Sequence, residues 1–312
     1  MPAMPPLSAA ELCEAMRHGR PFDAACLNRI LGLDAQRGLL EVQGATAWAS
    51  IAAELRPGDA RAAAAAAGTT LPNVGESLAR NAPGPDGQPA VTHVHSLTLV
   101  TPDGELRRLS RQREAELFSL VAGGFGLFGA LYSVTLRIET LSRAVEMAAA
   151  PQRLQLRPGQ QTAHPLELLL PPERLERFIA DTDSSCVDWR VPLRSAEVRR
   201  TAPEADSFLR WASREFAQVK LHFAACRGLG AQVRLAQLRR EIVDAAIGCG
   251  GRFHIASTFE ATREQLDACY PQLPAFLAEK RRFDPHERLT NGWYLHQRSL
   301  LAGEHCAVRW SS

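Results

Sequence analysis

The sequence predicts an α+β fold divided into two domains, and three observations support this. First, the chain has 312 residues, and domains of roughly 150 residues are common. Second, residues 95–100 and 105–109 read as two strands, and the turn Thr101-Pro102-Asp103-Gly104 between them favours a hairpin. Third, the second half of the chain alternates short strands with amphipathic helices. That pattern is typical of helices packed on a largely antiparallel sheet.

The first half carries further predicted elements. They are a helix at 8–18, a strand at 39–44, a helix at 46–55, a helix at 114–121, a glycine-rich loop at 123–129 and a strand at 131–138. Ser8 is a suitable N-cap for the first helix, and Glu11, three residues on, completes a capping box. The helix at 46–55 stops at Pro57-Gly58 because neither residue continues a helix well.

The composition shifts near 148–163, where Ala, Pro, Gln and Gly dominate, and this indicates a crossover between domains. Beyond it we expect strands at 166–170, 218–224 and 252–258 and helices at 172–181, 204–215 and 231–246. A final helix and an ordered segment are expected from Pro271 onward. The expected division is a first domain at 1–147, a second at 148–275 and a C-terminal segment at 276–312 that returns to the first.

Composition and charge exclude several classes of function. The 36 basic and 34 acidic residues give a net charge of +2, so no bulk field favours nucleic acid or an anionic membrane. The seven cysteines lie apart without a CxxC spacing, and no metal site is predicted. His93 and His95 are expected to flank the start of a strand instead of binding metal. Because neither a membrane span nor a leader pattern is present, we expect a cytoplasmic protein.

Two glycine-bearing segments, 69–81 and 123–129, carry the chemistry. Glycine lets backbone N–H groups approach an anion or a flat ring without interference from a Cβ atom. The second segment contains GxGxxG at 124–129, but it precedes a strand, whereas a Rossmann fingerprint follows a strand and opens a helix. The alternative is a tight glycine turn that closes a sheet.

The order of these parts resembles a known family. Residues 27–140 resemble the FAD-binding domain of the vanillyl-alcohol oxidase superfamily of FAD-linked oxidases, also named after p-cresol methylhydroxylase (PCMH). The segments that carry the resemblance are LNRILGLD at 27–34, LEVQGAT at 40–46, GTTLP at 68–72, VGESLARN at 74–81, SLTLVTPDGE at 96–105, ELF at 116–118 and GGFGLFG at 123–129. KRRFDP at 280–285 and NGWY at 291–294 resemble the end of the sugar and alditol oxidases of this family.

The resemblance implies a PCMH-type FAD-binding domain of two small α/β subdomains, the N-terminal one truncated, and an α+β substrate domain with an antiparallel sheet. It implies non-covalent FAD, because Pro83 stands where a histidine often follows. The residues that it assigns to FAD are Val74, Gly75, Ser77, Asn81, Gly124, Gly126, Gly129, Ala130, Leu131 and Asn291. The first four would line the pyrophosphate and ribityl region, the next five would wrap the adenosine half, and Asn291 would face the isoalloxazine.

Lys220, His222 and Tyr294 are the candidate catalytic residues, the last by resemblance. Lys220 and His222 alternate on a predicted strand, so their side chains share one face. Facing a flavin, they would bind a polar substrate and supply a base; the alternative is an exposed sheet face. Arg190 is a further candidate for anchoring a hydroxyl or a carboxylate.

The implied function is oxidation of an alcohol, in a polyol, a sugar or a lactone, by hydride transfer to FAD. Glu76 departs from the family pattern because it places a carboxylate beside Gly75, where two phosphates are expected. At about 4–6 Å a like charge would oppose binding by more than roughly 1 kcal/mol. The alternative function is therefore that of a flavin-free member of the family, acting as a protein partner subunit or in a non-redox biosynthetic step.

Overall fold

A computed structural model describes residues 8–55, 71, 73–83, 88–141, 152–155, 165–224, 228–258 and 261–302. The chain divides into two compact units. Unit 1 comprises 1–148, 205–210 and 274–312, and unit 2 comprises 149–204 and 211–273. Over the described residues, each unit combines helices with a five-stranded antiparallel sheet. The α+β fold predicted from the sequence is therefore confirmed.

The strands of unit 1 are β1 (Ile30–Asp34), β2 (Leu39–Gln43), β3 (Val94–Val100), β4 (Leu106–Ser110) and β5 (Ala130–Arg137). They form a sheet in the order β1-β2-β5-β3-β4. The helices in the same part of the chain are α1 (Ala9–Arg17), α2 (Trp48–Leu55), α3 (Val74–Ala79) and α4 (Ala115–Val121), with short 3-10 helices at Ala24–Cys26 and Ala90–His93. The hairpin predicted around the Pro-Asp-Gly turn is confirmed as β3 and β4.

One face of this sheet is apolar and the other is polar. Leu40 on β2 lies opposite Leu136 on β5, and both are completely buried. The next pair along the same strands, Glu41 and Thr135, lies on the opposite face. Because side chains alternate along a strand, burial of the leucine face sets the register and leaves the second face for polar groups.

Helix α1 packs against the hairpin turn. The Ser8 hydroxyl accepts a hydrogen bond from the Glu11 N–H at 3.3 Å and begins the helix, as predicted. The apolar residues of this contact are Leu12, Met16, Leu27 and Val100. Gly104 has a φ of +82°, and a Cβ atom there would lie 2.6 Å from the carbonyl oxygen of Cys13. The turn therefore requires glycine for both its conformation and its closeness to α1.

The strands of unit 2 are β6 (Gln152–Gln155), β7 (Leu166–Leu170), β8 (Leu193–Thr201), β9 (Phe216–Phe223) and β10 (Arg252–Phe253), in the order β10-β7-β9-β8-β6. Its helices are α5 (Leu175–Asp188), α6 (Leu229–Gly248) and α7 (Arg263–Cys269). Two more helices follow, α8 (Leu273–Phe283), which belongs to unit 1 from residue 274 onward, and α9 (Gly292–Ala302), also in unit 1. None of the helices in the described part of the chain has the length and apolar character that a bilayer crossing requires.

The sheet of unit 2 also has two different faces. Leu166, Leu221 and Ala196 lie side by side on β7, β9 and β8, and all three are completely buried. The next residues along these strands, Glu167, Lys220 and Glu197, are charged and lie side by side on the other face. That second face contains the catalytic candidates described below.

The predicted helix at 204–215 is wrong. Residues 205–210 have no regular secondary structure and are held by other residues of unit 1. The Arg111 guanidinium donates to both carboxylate oxygens of Asp206, at 2.8 and 2.6 Å. The Phe208 N–H donates to the Ser119 carbonyl at 2.9 Å. These long-range bonds override a local helical preference, which is a weak determinant of structure.

The predicted strand at 252–258 is shorter than expected. Only Arg252–Phe253 pair with β7, and the chain then turns, with the Ser257 N–H donating to the His254 carbonyl at 3.0 Å. The helix predicted at 172–181 is longer than expected, because α5 continues to Asp188.

Candidate functional site

The two glycine-bearing segments meet in unit 1. The Gly123 N–H donates to the Leu78 carbonyl at 2.9 Å, and the Phe125 N–H donates to the Ala79 carbonyl at 2.7 Å. The loop at 123–129 therefore docks on the C-terminal end of α3. Residues that are more than forty positions apart in the sequence thus form one continuous surface.

The amides at the start of α3 are bonded within the protein. The Val74 N–H donates to the Thr46 carbonyl at 3.1 Å, and the Gly75 N–H donates to the Gly44 carbonyl at 2.6 Å. A Cβ atom at position 75 would lie 2.7 Å from that same Gly44 oxygen. The packing of the chain therefore explains why position 75 is glycine, and the role of these amides at a pyrophosphate stays a prediction.

Two polar side chains on α3 are also held in place. The Ser77 hydroxyl accepts a hydrogen bond from the Trp48 indole N–H at 2.9 Å. Glu76 is exposed, and its carboxylate accepts from the Asn73 side-chain amide at 3.0 Å, while the Asn73 oxygen caps the helix by accepting from the Glu76 N–H at 2.8 Å. The Glu76 carboxylate thus belongs to a reciprocal cap at the helix N-terminus.

Asn81 ends the same segment in a left-handed conformation, with a φ of +43°. Its side chain is buried, accepts from the Val91 N–H at 3.1 Å and donates to the Ser207 hydroxyl at 3.3 Å. Asn81 therefore helps to hold residues 205–210 against the rest of unit 1. Its expected contact with FAD stays a prediction.

Within the loop at 123–129, the glycines have different surroundings. At Gly124 a Cβ atom would collide with the Leu120 carbonyl oxygen, and at Gly129 it would lie 2.5 Å from the Val100 carbonyl oxygen. Gly126 has a φ of +72°, is exposed, and has no atom within 4 Å of a Cβ position. The loop therefore has an open side at Gly126. Ala130 and Leu131 follow as the first residues of β5.

The C-terminal segment joins this loop. The Asn291 side chain donates to the Phe125 carbonyl at 2.8 Å, and its oxygen accepts from the Tyr294 N–H at 2.9 Å, so it caps α9. The Trp293 indole stacks on the Phe125 ring, with 3.8 Å between centroids and 10° between planes. Asn291 was identified from the sequence but this ring pair was not, although an aromatic residue stands beside each motif.

Two buried polar atoms on α9 have no hydrogen-bond partner within the described ranges. They are the indole nitrogen of Trp293 and the side-chain oxygen of Gln297, and these side chains are 6% and 2% exposed. The two residues are four apart and lie on the same face of the helix. A buried polar group without a partner costs free energy, which makes these two atoms candidates for hydrogen bonds to a bound ligand.

Tyr294 lies in a separate, closed cluster. Its hydroxyl donates to Glu287 at 2.5 Å, and the Nζ of Lys280 and the guanidinium of Arg298 lie 5.4 and 5.6 Å from its ring centroid. Burial, and then the hydrogen bond to Glu287, raise the pKa of Tyr294. The residue is completely buried and stabilises the C-terminal segment; its expected catalytic role stays a prediction.

The polar face of unit 2 brings five charged or titratable side chains together. Lys220 on β9 lies between Glu167 on β7 and Glu197 on β8 in the strand register. The Lys220 Nζ is 3.3 Å from Glu167 Oε1, and the His222 Nε2 is 3.5 Å from Glu197 Oε1. His254 Nδ1 lies 3.8 Å from the other oxygen of Glu167. The sequence-predicted pair thus sits in a network of two carboxylates and a second imidazole.

This face is buried although it is charged. The side chains of Glu167, Lys220, His222 and Glu197 are only 8%, 19%, 16% and 17% exposed. Charged side chains are rarely buried unless they are paired, because desolvation is costly. Such concentrations of buried titratable groups are found at functional sites more often than elsewhere. The sequence signal that was missed is the single glutamate in the run Leu-Glu-Leu-Leu-Leu at 166–170.

The remaining candidates lie elsewhere. Arg190 is exposed at the C-terminal end of α5, in a left-handed conformation with a φ of +54°. His93 is buried and His95 is half-buried at the start of β3, as the sequence predicted.

Comparisons with known proteins give two family matches. Residues 19–110 match a family model described as an FAD binding domain, and residues 173–297 match a model described as D-arabinono-1,4-lactone oxidase. No curated protein sequence matches this chain. The solved structure of Physcomitrella patens BBE-like 1 wild-type is similar in fold, with a TM-score of 0.61 and 8% sequence identity, over 91% of this chain and 89% of that one.

Proposed function

We propose that this chain, which belongs to the vanillyl-alcohol oxidase superfamily of FAD-linked oxidases, oxidises a CH–OH group of a polyol, a sugar or a sugar-derived lactone. FAD is the cofactor that both family matches indicate. The observation that carries the proposal is the buried, charged face of unit 2. Four of its five charged or titratable residues, all except Glu167, lie within the residues that are similar to D-arabinono-1,4-lactone oxidase, which supports a substrate of related chemistry.

The residues of unit 1 fit a cofactor on the open side of the glycine-rich loop. Gly126 leaves room for a ligand; the Trp293 indole N–H would donate a hydrogen bond to it, and the Gln297 side-chain oxygen would accept one. The Phe125–Trp293 stack fixes the orientation of the indole. These residues would hold FAD without a covalent bond.

FAD, when bound, supplies the acceptor for the hydride that leaves the substrate carbon. The chain must supply a base for the hydroxyl proton, and His222 is suited to this because imidazole accepts protons near neutral pH. The Glu197 carboxylate, 3.5 Å from His222 Nε2, would stabilise the imidazolium that forms. In this step the substrate carbon loses a hydride, the hydroxyl loses a proton to Nε2 of His222, and the C–O single bond becomes a carbonyl.

Lys220 has a different role in this proposal. Its ammonium, held 3.3 Å from Glu167, would donate a hydrogen bond to a substrate oxygen and so orient the reacting carbon. Glu167 positions Lys220 and, at 3.8 Å, His254. In this proposal Lys220 thus binds the substrate, and His222 accepts the proton.

The first test is the cofactor. The purified chain should show flavin absorbance bands, or acquire them when FAD is added, and acid precipitation should release the flavin into the supernatant because it is not covalently bound. A protein that stays colourless with added FAD would overturn the proposal. Flavin that remains in the pellet would overturn the non-covalent assignment alone.

The second test is activity with sugar lactones and alditols, using a dye as electron acceptor. His222→Gln should lower kcat by about 10²–10⁴-fold, the usual contribution of a general base, whereas Lys220→Met should mainly raise KM. Glu215→Gln is the matched control, because Glu215 forms an exposed ion pair with Arg200 in the same unit. Equal rates for the His222 variant and the control would exclude His222 as the base.

A further inference from the structure

We propose that unit 1 carries a second ligand site, a pocket on the polar face of its sheet that binds a small polyhydroxy carboxylate. The pocket has a volume of about 240 Å³. At roughly 30 Å³ per water molecule this is room for about eight waters, which suits a molecule of the size of a sugar acid. The residues that give it its chemistry are Asp34, Arg37, Leu39, Glu41, Arg108 and Thr135. None of them belongs to the glycine-bearing segments or to α9.

Two guanidinium groups would bind the anionic end of the ligand. Arg37 lies in the turn between β1 and β2, and Arg108 lies on β4, so the two side chains reach the pocket from different elements of the fold. Neither guanidinium forms an ion pair with another residue of the described part of the chain. Guanidinium groups bind carboxylates through two parallel N–H bonds, which favours a carboxylate over a neutral group.

The surroundings of His95 show that this end of the sheet is electropositive. Burial lowers the pKa of His95, and Arg137, Arg37, Arg108 and Arg111 lower it further. Two of these arginines line the pocket, and the other two are engaged elsewhere, Arg137 with a main-chain carbonyl and Arg111 with a carboxylate. Arg37 and Arg108 therefore favour an anion beside them, while Asp34 and Glu41 carry the negative charge of the same pocket.

The two carboxylates of the pocket would accept hydroxyl groups of the ligand. Asp34 Oδ1 accepts a hydrogen bond from the backbone N–H of Arg37 at 3.0 Å, and Glu41 Oε1 accepts one from the Ser133 hydroxyl at 2.7 Å. These bonds fix both side chains and leave the second oxygen of each for a ligand donor. Thr135, 7% exposed at the base of the pocket, adds a hydroxyl. An anionic group at the arginines and hydroxyls at the carboxylates together describe a polyhydroxy carboxylate.

The test is calorimetric titration of the full chain with D-gluconate, beside sorbitol as the neutral polyol of the same length. Gluconate should bind and sorbitol should bind at least about tenfold more weakly, because the arginines have no anion to pair with. Arg37→Gln and Arg108→Gln should each weaken gluconate binding by at least about tenfold. Arg113→Gln, an exposed arginine outside the pocket, should leave it unchanged.

Three outcomes would overturn the inference. They are no gluconate binding at millimolar concentration, equal affinity for sorbitol, and unchanged binding in both the Arg37 and Arg108 variants. Loss of gluconate binding in His222→Gln but not in the arginine variants would mean that the ligand occupies the face of unit 2 instead. Conversely, a colourless, inactive protein that still binds gluconate through Arg37 would retain this site and lose only the proposed oxidase activity.

Discussion

The substitution Trp293→Phe tests whether α9 faces the cofactor. It keeps a ring to stack on Phe125 and removes the indole N–H, which has no hydrogen-bond partner among the described residues. In the flavin-free protein, removal of an unsatisfied buried donor gains about 1–3 kcal/mol. The smaller ring leaves a cavity and loses a similar amount. We therefore expect the free energy of unfolding to change by less than about 1 kcal/mol.

The FAD-bound protein should respond differently. If the indole N–H donates to the cofactor, its loss leaves a ligand acceptor unpaired and costs about 1–3 kcal/mol, which is a decrease in affinity of roughly 5- to 150-fold. Titration of FAD followed by quenching of its fluorescence measures this affinity, and urea unfolding of the flavin-free protein measures stability.

Trp48→Phe is the matched control for stability. The Trp48 indole donates to the Ser77 hydroxyl at 2.9 Å, so its loss should lower the free energy of unfolding by about 1–2 kcal/mol. Unchanged FAD affinity in Trp293→Phe would refute the placement of this indole at the cofactor. A loss of stability in Trp293→Phe equal to that in Trp48→Phe would show that the N–H is bonded within the protein.

Three further experiments test the packing and the charges of unit 1. The Lys280 ammonium lies 2.5 Å from the buried carboxylate of Asp284. Lys280→Met leaves this carboxylate without a cation and should lower the free energy of unfolding by about 3–5 kcal/mol at pH 7, measured in urea titrations. Burial raises the pKa of the Asp284 carboxyl, but hydrogen bonds, first the one from Lys280, hold it below its ordinary value. The pair therefore stabilises the native state above about pH 4. The difference in unfolding free energy between the variant and the parent should shrink as the pH falls below that value. Gly129→Ala should lower the melting temperature far more than Gly126→Ala, because a Cβ atom meets a carbonyl oxygen at 2.5 Å only at position 129; equal shifts would contradict this account. Arg108→Gln should raise the pKa of His95 in an NMR titration, since that arginine is among the charges that lower it, and a fall would contradict the assignment.

Elements with strong local signals could be predicted from the sequence. The hairpin follows from its Pro-Asp-Gly turn, and α1 follows from its capping residue, because both depend on neighbours within a few positions. The helix expected at 204–215 failed for the opposite reason. Asp206 and Phe208 bond to residues about ninety positions away, and no local pattern reports such partners.

The same limit applies to the candidate site in unit 2. Alternation along β9 predicted that Lys220 and His222 share a face, because that property belongs to a single strand. Their partners, Glu167 and Glu197, come from two other strands and meet them only through the register of the sheet. A one-residue shift of that register would move either glutamate to the opposite face, so the network could not be derived without the strand pairing.

The glycines show how a motif can identify a fold without marking the ligand contacts. Gly75 and Gly129 are required because a Cβ atom at either position would meet a main-chain carbonyl oxygen of unit 1. Chain packing alone is enough to demand glycine there, so glycine at these positions does not by itself mark a ligand contact. Gly126, by contrast, faces open space, and the orphaned polar atoms of Trp293 and Gln297 lie on a helix that no glycine spacing predicts. The groups that best fit a cofactor are therefore those for which the protein provides no partner of its own. Substitutions of these groups should lower the affinity for FAD while changing the free energy of unfolding little.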